Sequence, residues 1–187
     1  MSKLYFITHP SVHIVKVLPI DQWGLSSKGI NEVKRLLKLS FWNEISIIYS
    51  SPEKKAIQTA ELISREYGIK IFTRDNLSEV DRSSTGFMEY GKYLDVVRNF
   101  YKHPKESIQG WESAAVASKR IFKDIAQIMS KHKNKSIVVI GHGATGTLLA
   151  CSLLNKEPDF AEDTQGTGRY MIIDWNKRQL VQKWLKY

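Results

Sequence analysis

Near the start of the chain stands the stretch Leu4-Tyr5-Phe6-Ile7-Thr8-His9-Pro10. Its first four residues are apolar and rich in β-formers, and a proline ends the run, which predicts a strand buried on both faces. Strands of this kind are typical of parallel sheets that helices cover on both sides. Because such open sheets bind ligands outside the carboxyl ends of their strands, His9 stands where chemistry would take place.

Strand and helix patterns alternate along the rest of the chain. We predict further strands over residues 45–50, 69–73 and 136–141, with amphipathic helices between them and a helix over 147–154. Two late strands, 170–175 and 180–184, are close enough to form a hairpin. The sequence therefore predicts a three-layer α/β/α sandwich whose central sheet is mostly parallel with an antiparallel C-terminal edge, in a single domain over residues 1–187.

The composition is that of an ordinary globular protein. The 187 residues are 42% hydrophobic and 25% charged, and no apolar run approaches the ~20 residues that a membrane span requires. The single cysteine, Cys151, excludes an internal disulfide and a thiolate metal cluster. We therefore expect a cytoplasmic protein without a membrane partner.

The formal net charge of +9 has three interpretations: a solvated basic surface, electrostatic help with anionic small ligands, or a nucleic-acid footprint. The 28 Lys and Arg residues are scattered, and the sequence has no recognised nucleic-acid-binding motif. We expect no nucleic-acid partner. The oligomeric state stays open.

Two histidines, His9 and His142, each follow a buried strand directly. If those strands are neighbours, both rings enter one crevice. Paired histidines also suit zinc, but no third ligand is placed with them, so we predict neither a metal nor a cofactor. The turn Gly141-His142-Gly143-Ala144-Thr145-Gly146 offers backbone N–H groups at a helix start, which favours an anion such as a phosphoryl group.

Several blocks occur in an order that resembles the histidine phosphatase superfamily, which has the fold of the cofactor-dependent phosphoglycerate mutases. They are the strand-one histidine, Ser50-Ser51-Pro52 with Lys55-Ala56 and Gln58-Thr59-Ala60, Leu77-Ser78-Glu79, and Gly141-His142-Gly143. The resemblance extends over essentially the whole chain.

The resemblance implies a phosphatase that forms a covalent phosphohistidine. His9 would be the nucleophile, Glu79 would protonate the leaving oxygen and then activate water, and His142 would hold the transferring group with the N–H groups of Gly143 and Ala144. The implied substrate is a phosphorylated small molecule or a phosphoprotein. The Gln165-Gly166-Thr167-Gly168 loop is a candidate to close over this site.

The chain departs from the family in its phosphate-binding cations. Thr8-His9-Pro10 replaces the family's Arg-His-Gly, and Lys55 replaces the arginine of the Ser-Ser block. Losing one preorganised donor typically costs about 10²–10³ in rate, and lysine lacks the planar fork of arginine. Arg82 is a candidate replacement cation, and Thr8 offers a hydroxyl without charge. A weakly active or inactive phosphate-binding member is therefore the alternative, and a mutase is less favoured because the chain is short.

Overall fold

The computed structural model describes residues 2–164 and 166–187 and is built around a six-stranded sheet. The strands are β1 (Lys3–Thr8), β2 (Ile45–Ser50), β3 (Lys70–Thr73), β4 (Ser136–Gly141), β5 (Arg169–Asp174) and β6 (Gln179–Lys186). Their order is β3-β2-β4-β1-β5-β6. The first four strands are parallel to one another, β5 pairs antiparallel with β1, and β6 pairs antiparallel with β5. The predicted parallel sheet with an antiparallel C-terminal edge is confirmed.

Helices cover both faces of the sheet. They are α1 (Ser27–Leu36), α2 (Lys54–Tyr67), α3 (Tyr90–Lys102), α4 (Ala114–Lys131) and α5 (Gly143–Leu153). Alternate residues of β1 point to opposite sides: Leu4 and Phe6 join a core with residues of α4 and α5, whereas Tyr5 and Ile7 join a core with residues of α1 and α2. The prediction of three layers is confirmed, and it follows from the continuous apolar run of a strand buried on both faces.

The start of α5 differs from its prediction. The helix begins at Gly143, directly after His142, rather than at residue 147. The small residues at the start of α5 are explained by close packing of the helix against the sheet rather than by a loop. A Cβ on Gly146 would lie 2.7 Å from ring atoms of both Phe6 and Trp184. Glycine is therefore tolerated inside this helix because only glycine lets it approach the sheet so closely.

The register of the sheet brings three strand ends together. Thr8 of β1 pairs with Gly141 of β4, and the N–H of His9 continues the ladder by donating to the Gly141 carbonyl at 3.0 Å. On the other side of β4, the N–H of Ser51 donates to Ile140 at 2.9 Å. His9, His142 and the segment after β2 therefore leave the sheet side by side.

No helix within residues 2–164 and 166–187 is long and apolar enough to cross a membrane.

Candidate active site

The His9 ring is held in a single tautomer. Its Nδ1 lies 2.8 Å from the carbonyl oxygen of Pro10, and because a carbonyl only accepts, Nδ1 carries the hydrogen. The lone pair is then on Nε2. Burial, followed by the neighbouring positive charges of His142 (when protonated) and Lys55, lowers the pKa of His9 to about 3. The ring is therefore neutral at neutral pH, as a nucleophile must be.

His142 lies beside His9 at the N-terminus of α5 and is fully buried. The two ring centroids are 5.3 Å apart. The Nε2 atom of His142 lies 2.7 Å from the Ser51 hydroxyl, whereas its Nδ1 has no hydrogen-bond partner in the part of the chain that the structure describes. Burial lowers the pKa of His142, although the carboxylates of Glu53 and Glu79 act in the opposite direction.

Glu79 reaches the same point from the irregular segment after β3. Its Oε2 accepts from the N–H of Ala144 at 3.1 Å, and its Oε1 accepts from Thr145 and Val80, each at 3.0 Å. The bonds from Ala144 and Thr145 satisfy N–H groups at the start of α5, which otherwise have no partner inside the helix. The Ala144 N–H, a predicted phosphate donor, is thus bonded to the predicted acid in this structure.

Arg120 of α4 holds the backbone that carries Glu79. Its guanidinium donates to the carbonyls of Asn76 at 2.8 Å, Ser78 at 3.1 Å and Glu79 at 3.3 Å. The same group forms a two-pronged ion pair with Glu112, at 2.9 and 2.7 Å. Arginine suits this position because its planar fork can bond several oxygens at once. Sequence reasoning did not find Arg120.

Lys55 is almost fully buried at the start of α2. Its Nζ donates to the Ile20 carbonyl at 3.0 Å and forms an ion pair with Glu53. Glu53 in turn lies 3.3 Å from His142 Nε2, which joins this cation to the pair of histidines. The structure therefore brings Lys55, His9, His142 and Glu79 together.

Glu53 is the acid that sequence reasoning missed at this site. It follows β2, and its position suggests a first-turn acid of α2, where the positive end of the helix dipole would stabilise its negative charge. Its side chain makes no capping bond and points instead at the site, where Oε1 accepts from the Glu79 N–H at 2.7 Å and lies 3.3 Å from His142 Nε2. The available signal was its place at a strand end on the same sheet edge as the histidines.

The charge state of Glu53 follows from these neighbours. Burial favours the protonated carboxyl, but His142 (when protonated), Lys55 and the Glu79 N–H outweigh burial and lower the pKa of Glu53 to about 2. Glu53 is therefore a carboxylate at neutral pH.

Two of the predicted phosphate-binding side chains have other partners. The Thr8 hydroxyl donates to the Arg169 carbonyl at 3.2 Å and accepts from the Arg169 N–H at 3.0 Å, which ties β1 to β5. The Arg82 guanidinium lies over the rings of Tyr93 and Trp111, 5.1 and 5.9 Å from their centroids. Among the described residues, neither side chain is hydrogen-bonded to His9, Glu79 or His142.

The loop before β5 touches the site from the C-terminal side. Gln165, the first residue of the predicted closing loop, lies outside the described residues. The N–H of Gly168 donates to the His9 carbonyl at 3.1 Å, and the Tyr187 hydroxyl donates to the Thr8 carbonyl at 2.8 Å. A Cβ on Gly143 would lie 2.9 Å from the Thr164 hydroxyl. This part of the chain therefore braces the backbone on both sides of the nucleophile.

Zinc is the alternative that paired histidines raise. Within residues 2–164 and 166–187, no three His, Cys, Asp or Glu side chains form a group that could hold a metal ion. The observed partners of the two rings are instead a backbone carbonyl, a serine hydroxyl and a carboxylate.

The chain is similar to known phosphatases in sequence and in fold. It is 27% identical over 163 residues to phosphoserine phosphatase 1 of Hydrogenobacter thermophilus, covering 84% of this chain and 77% of the relative. The crystal structure of phosphoserine phosphatase in complex with 3-phosphoglyceric acid from Entamoeba histolytica superposes with a TM-score of 0.80 at 20% identity, over 97% of this chain and 95% of that chain. A mycobacterial glucosyl-3-phosphoglycerate phosphatase gives 0.78 at 15% identity, over 99% and 96%.

A family model settles the membership that the sequence blocks suggested. The model described as histidine phosphatase superfamily (branch 1) matches residues 21–186, which is most of the chain. The match begins after His9, so the case for that residue rests on its geometry. The chain belongs to the histidine phosphatase superfamily.

Proposed function

We propose that residues 1–187 form one domain that hydrolyses a phosphate monoester through a phosphohistidine on His9. The observation that carries this proposal is the His9 ring. Its Nδ1–H is held by Pro10 at 2.8 Å so that the Nε2 lone pair is available, with His142 beside it and the Glu79 carboxyl at the start of α5. Family membership and the phosphatase names of the relatives support hydrolysis of a phosphate ester.

The first half-reaction transfers the phosphoryl group to the enzyme. Nε2 of His9 attacks phosphorus, the P–N bond forms, and the P–O bond to the leaving group breaks. The Glu79 carboxyl gives its proton to the departing oxygen, which leaves as an alcohol. The resemblance to the family assigns this role to Glu79, whose carboxyl group lies at the N-terminus of α5, directly after His142.

The second half-reaction releases phosphate. The Glu79 carboxylate takes a proton from a water molecule, the water oxygen attacks phosphorus, and the P–N bond breaks with its electron pair returning to Nε2. Phosphate leaves and the neutral His9 ring is restored. The lowered pKa of His9 supports this step, because the ring leaves as a neutral imidazole and stays neutral, ready to attack the next substrate molecule.

His142 and the start of α5 are proposed to hold the phosphoryl oxygens. A fully buried ring nitrogen without a partner, such as Nδ1 of His142, is uncommon in folded proteins and suits a place where a ligand completes the bonding. The N–H of Gly143 lies at the same helix start, where the dipole favours an anion. Lys55 would supply positive charge nearby.

The proposed substrate is a phosphorylated small molecule. Relatives and neighbours named for phosphoserine and glucosyl-3-phosphoglycerate support this class over a phosphoprotein. We place the enzyme in the cytoplasm, with no nucleic-acid partner, as part of the same proposal; the single cysteine supports a reducing compartment.

Turnover and trapping test this function together. Purified protein is incubated with an aryl phosphate, phosphoserine and 3-phosphoglycerate, and an acid-labile, base-stable phosphoryl label is sought after rapid quenching. We expect phosphate release and a label that His9→Ala removes. His103→Ala, which alters a half-exposed histidine outside the site, should leave both unchanged. A folded protein that shows neither turnover nor label contradicts the proposal.

A phosphate-binding protein without catalysis is the second candidate, and the bonding of Thr8 and Lys55 favours it. The Thr8 hydroxyl is bonded to Arg169, and Lys55 is paired with a carboxylate, so less positive charge is available to stabilise the group during transfer. Calorimetric binding of phosphoserine without any turnover would establish this function. Transfer of the phosphoryl group to a second hydroxyl, in place of release, would establish a mutase.

A further inference from the structure

The Glu53 carboxylate lies among the groups that are proposed to bind phosphate. Glu53 stands at the N-cap position of α2, where a side chain would normally bond the first N–H groups of the helix, but it makes no such bond. Its side chain is only 10% exposed and contacts Lys55, His142 Nε2 and the Glu79 N–H. A capping or surface role therefore does not explain where this carboxylate points.

The pairing has a consequence for the charge of the pocket. Lys55 is the cation of the Ser-Ser block, and Glu53 neutralises it by direct contact. Burial lowers the pKa of His9 to about 3, so this ring adds no positive charge at neutral pH. The guanidinium of Arg120 is itself paired with Glu112. Of these three described side chains, none therefore offers an unpaired positive charge to a phosphoryl dianion.

We propose that Glu53 is an internal counter-ion of the phosphate site, which a phosphoryl group must displace from Lys55 in order to bind. This inference rests on the proposed function, since it concerns the same pocket. The carboxylate bonds the buried lysine and the second histidine while the site is empty. It also opposes an incoming dianion, because two anions a few ångströms apart in a partly buried site repel strongly.

The displacement has a defined geometry. Lys55 Nζ would exchange a carboxylate oxygen for a phosphoryl oxygen while keeping its bond to the Ile20 carbonyl at 3.0 Å. Glu53 would rotate away without breaking α2, because the helix does not use its side chain. Free phosphate, the product of hydrolysis, would bind weakly and leave readily. Substrate affinity would then depend more on the groups beyond the phosphate.

Removing the charge of Glu53 tests the inference. Calorimetry with inorganic phosphate is carried out on wild type, Glu53→Gln and Glu53→Ala at one pH and ionic strength. We expect both variants to bind phosphate at least about tenfold more tightly, because a repelling charge a few ångströms away is worth at least that factor. Glu61→Gln, which removes an exposed charge from the same helix, should stay within about twofold of wild type.

Lys55→Met is the opposite variant. It leaves the Glu53 carboxylate without its ion-pair partner, and phosphate binding should fall at least about tenfold. Thermal unfolding of each variant shows whether it is folded. Glu53→Gln removes the charge but keeps the shape of the side chain, whereas Glu53→Ala removes both. Unchanged or weaker phosphate binding in a folded Glu53 variant overturns the inference, since the carboxylate would then support the site rather than oppose the ligand.

The two proposals fail in different ways. If Glu53→Gln binds phosphate more tightly but wild type does not hydrolyse aryl phosphate, the counter-ion role is supported and the phosphatase proposal is contradicted. Turnover by wild type with the same phosphate affinity in wild type and Glu53→Gln would keep the phosphatase and remove the counter-ion role.

Discussion

The imidazole rings of His9 and His142 meet edge to face across the ends of two adjacent parallel strands, with 5.3 Å between centroids and 62° between planes. Each ring has one nitrogen occupied by the protein: Nδ1 of His9 by Pro10 and Nε2 of His142 by Ser51 and Glu53. The other nitrogen of His9 is the proposed nucleophile, and that of His142, when it carries a hydrogen, is proposed to bond a phosphoryl oxygen.

The lowered pKa of His9 makes the stability of the protein depend on pH. The unfolded chain binds a proton at this residue below its ordinary value of 6.5, whereas the folded protein does so only near 3, so the free energy of unfolding falls as the pH drops through this window. Between pH 6.5 and 5, wild type should lose about 1–2 kcal/mol more than His9→Gln. Urea unfolding at the two pH values measures this difference; equal losses would contradict it.

Glu79→Gln should keep part of the cap on α5 and remove the proton donor. The amide oxygen can still accept from Thr145 and Val80, but the NH2 group would face the Ala144 N–H, so we expect a loss of about 1 kcal/mol in stability. Because general acid catalysis typically contributes 10²–10⁴, kcat should fall by about 10² or more for an alkyl phosphate. The fall should be smaller for an aryl phosphate with a good leaving group, which needs less protonation. An equal fall for both substrates would argue against Glu79 as the acid.

Arg120→Met should weaken both the fold and the activity. The variant removes three bonds to carbonyls of the segment that carries Glu79 and leaves the partly buried Glu112 unpaired. We expect a loss of about 2–4 kcal/mol in chemical denaturation, together with a lower kcat. Arg98→Met is the matched control, because its ion pair with Asp95 is exposed and should contribute less than about 1 kcal/mol. Similar losses in the two variants would exclude the bracing role of Arg120.

Gly146→Ala should destabilise the protein through overpacking. Its new methyl would lie 2.7 Å from ring atoms of Phe6 and Trp184, under the strand that carries His9, and overpacking of this kind costs about 1–3 kcal/mol. Gly91→Ala is the comparison, because a methyl on that helical glycine would meet no neighbouring atom within 4 Å and should add up to about 1 kcal/mol from helix propensity. Thermal or urea unfolding distinguishes the two; opposite signs are expected.

Local patterns carried most of the prediction of the fold. The apolar run of β1, the other buried strands and the late hairpin can each be recognised from a few consecutive residues. The sheet and its antiparallel edge could therefore be predicted. The start of α5 could not, because glycines at 143 and 146 indicate a loop unless the nearby rings of Phe6 and Trp184 are known. Close packing between distant residues overrides local propensity at that point.

The sequence by itself determined where the candidate site lies and to which family the chain is related, since His9 and His142 follow buried strands and the strand ends of a parallel sheet share one edge. Only the tertiary structure decided how its charges are paired. Glu53 contacts Glu79, 26 residues away, and Arg120 holds the Glu79 carbonyl across 41 residues. Buried charges must find partners wherever the fold places them, and no spacing along the chain encodes those contacts.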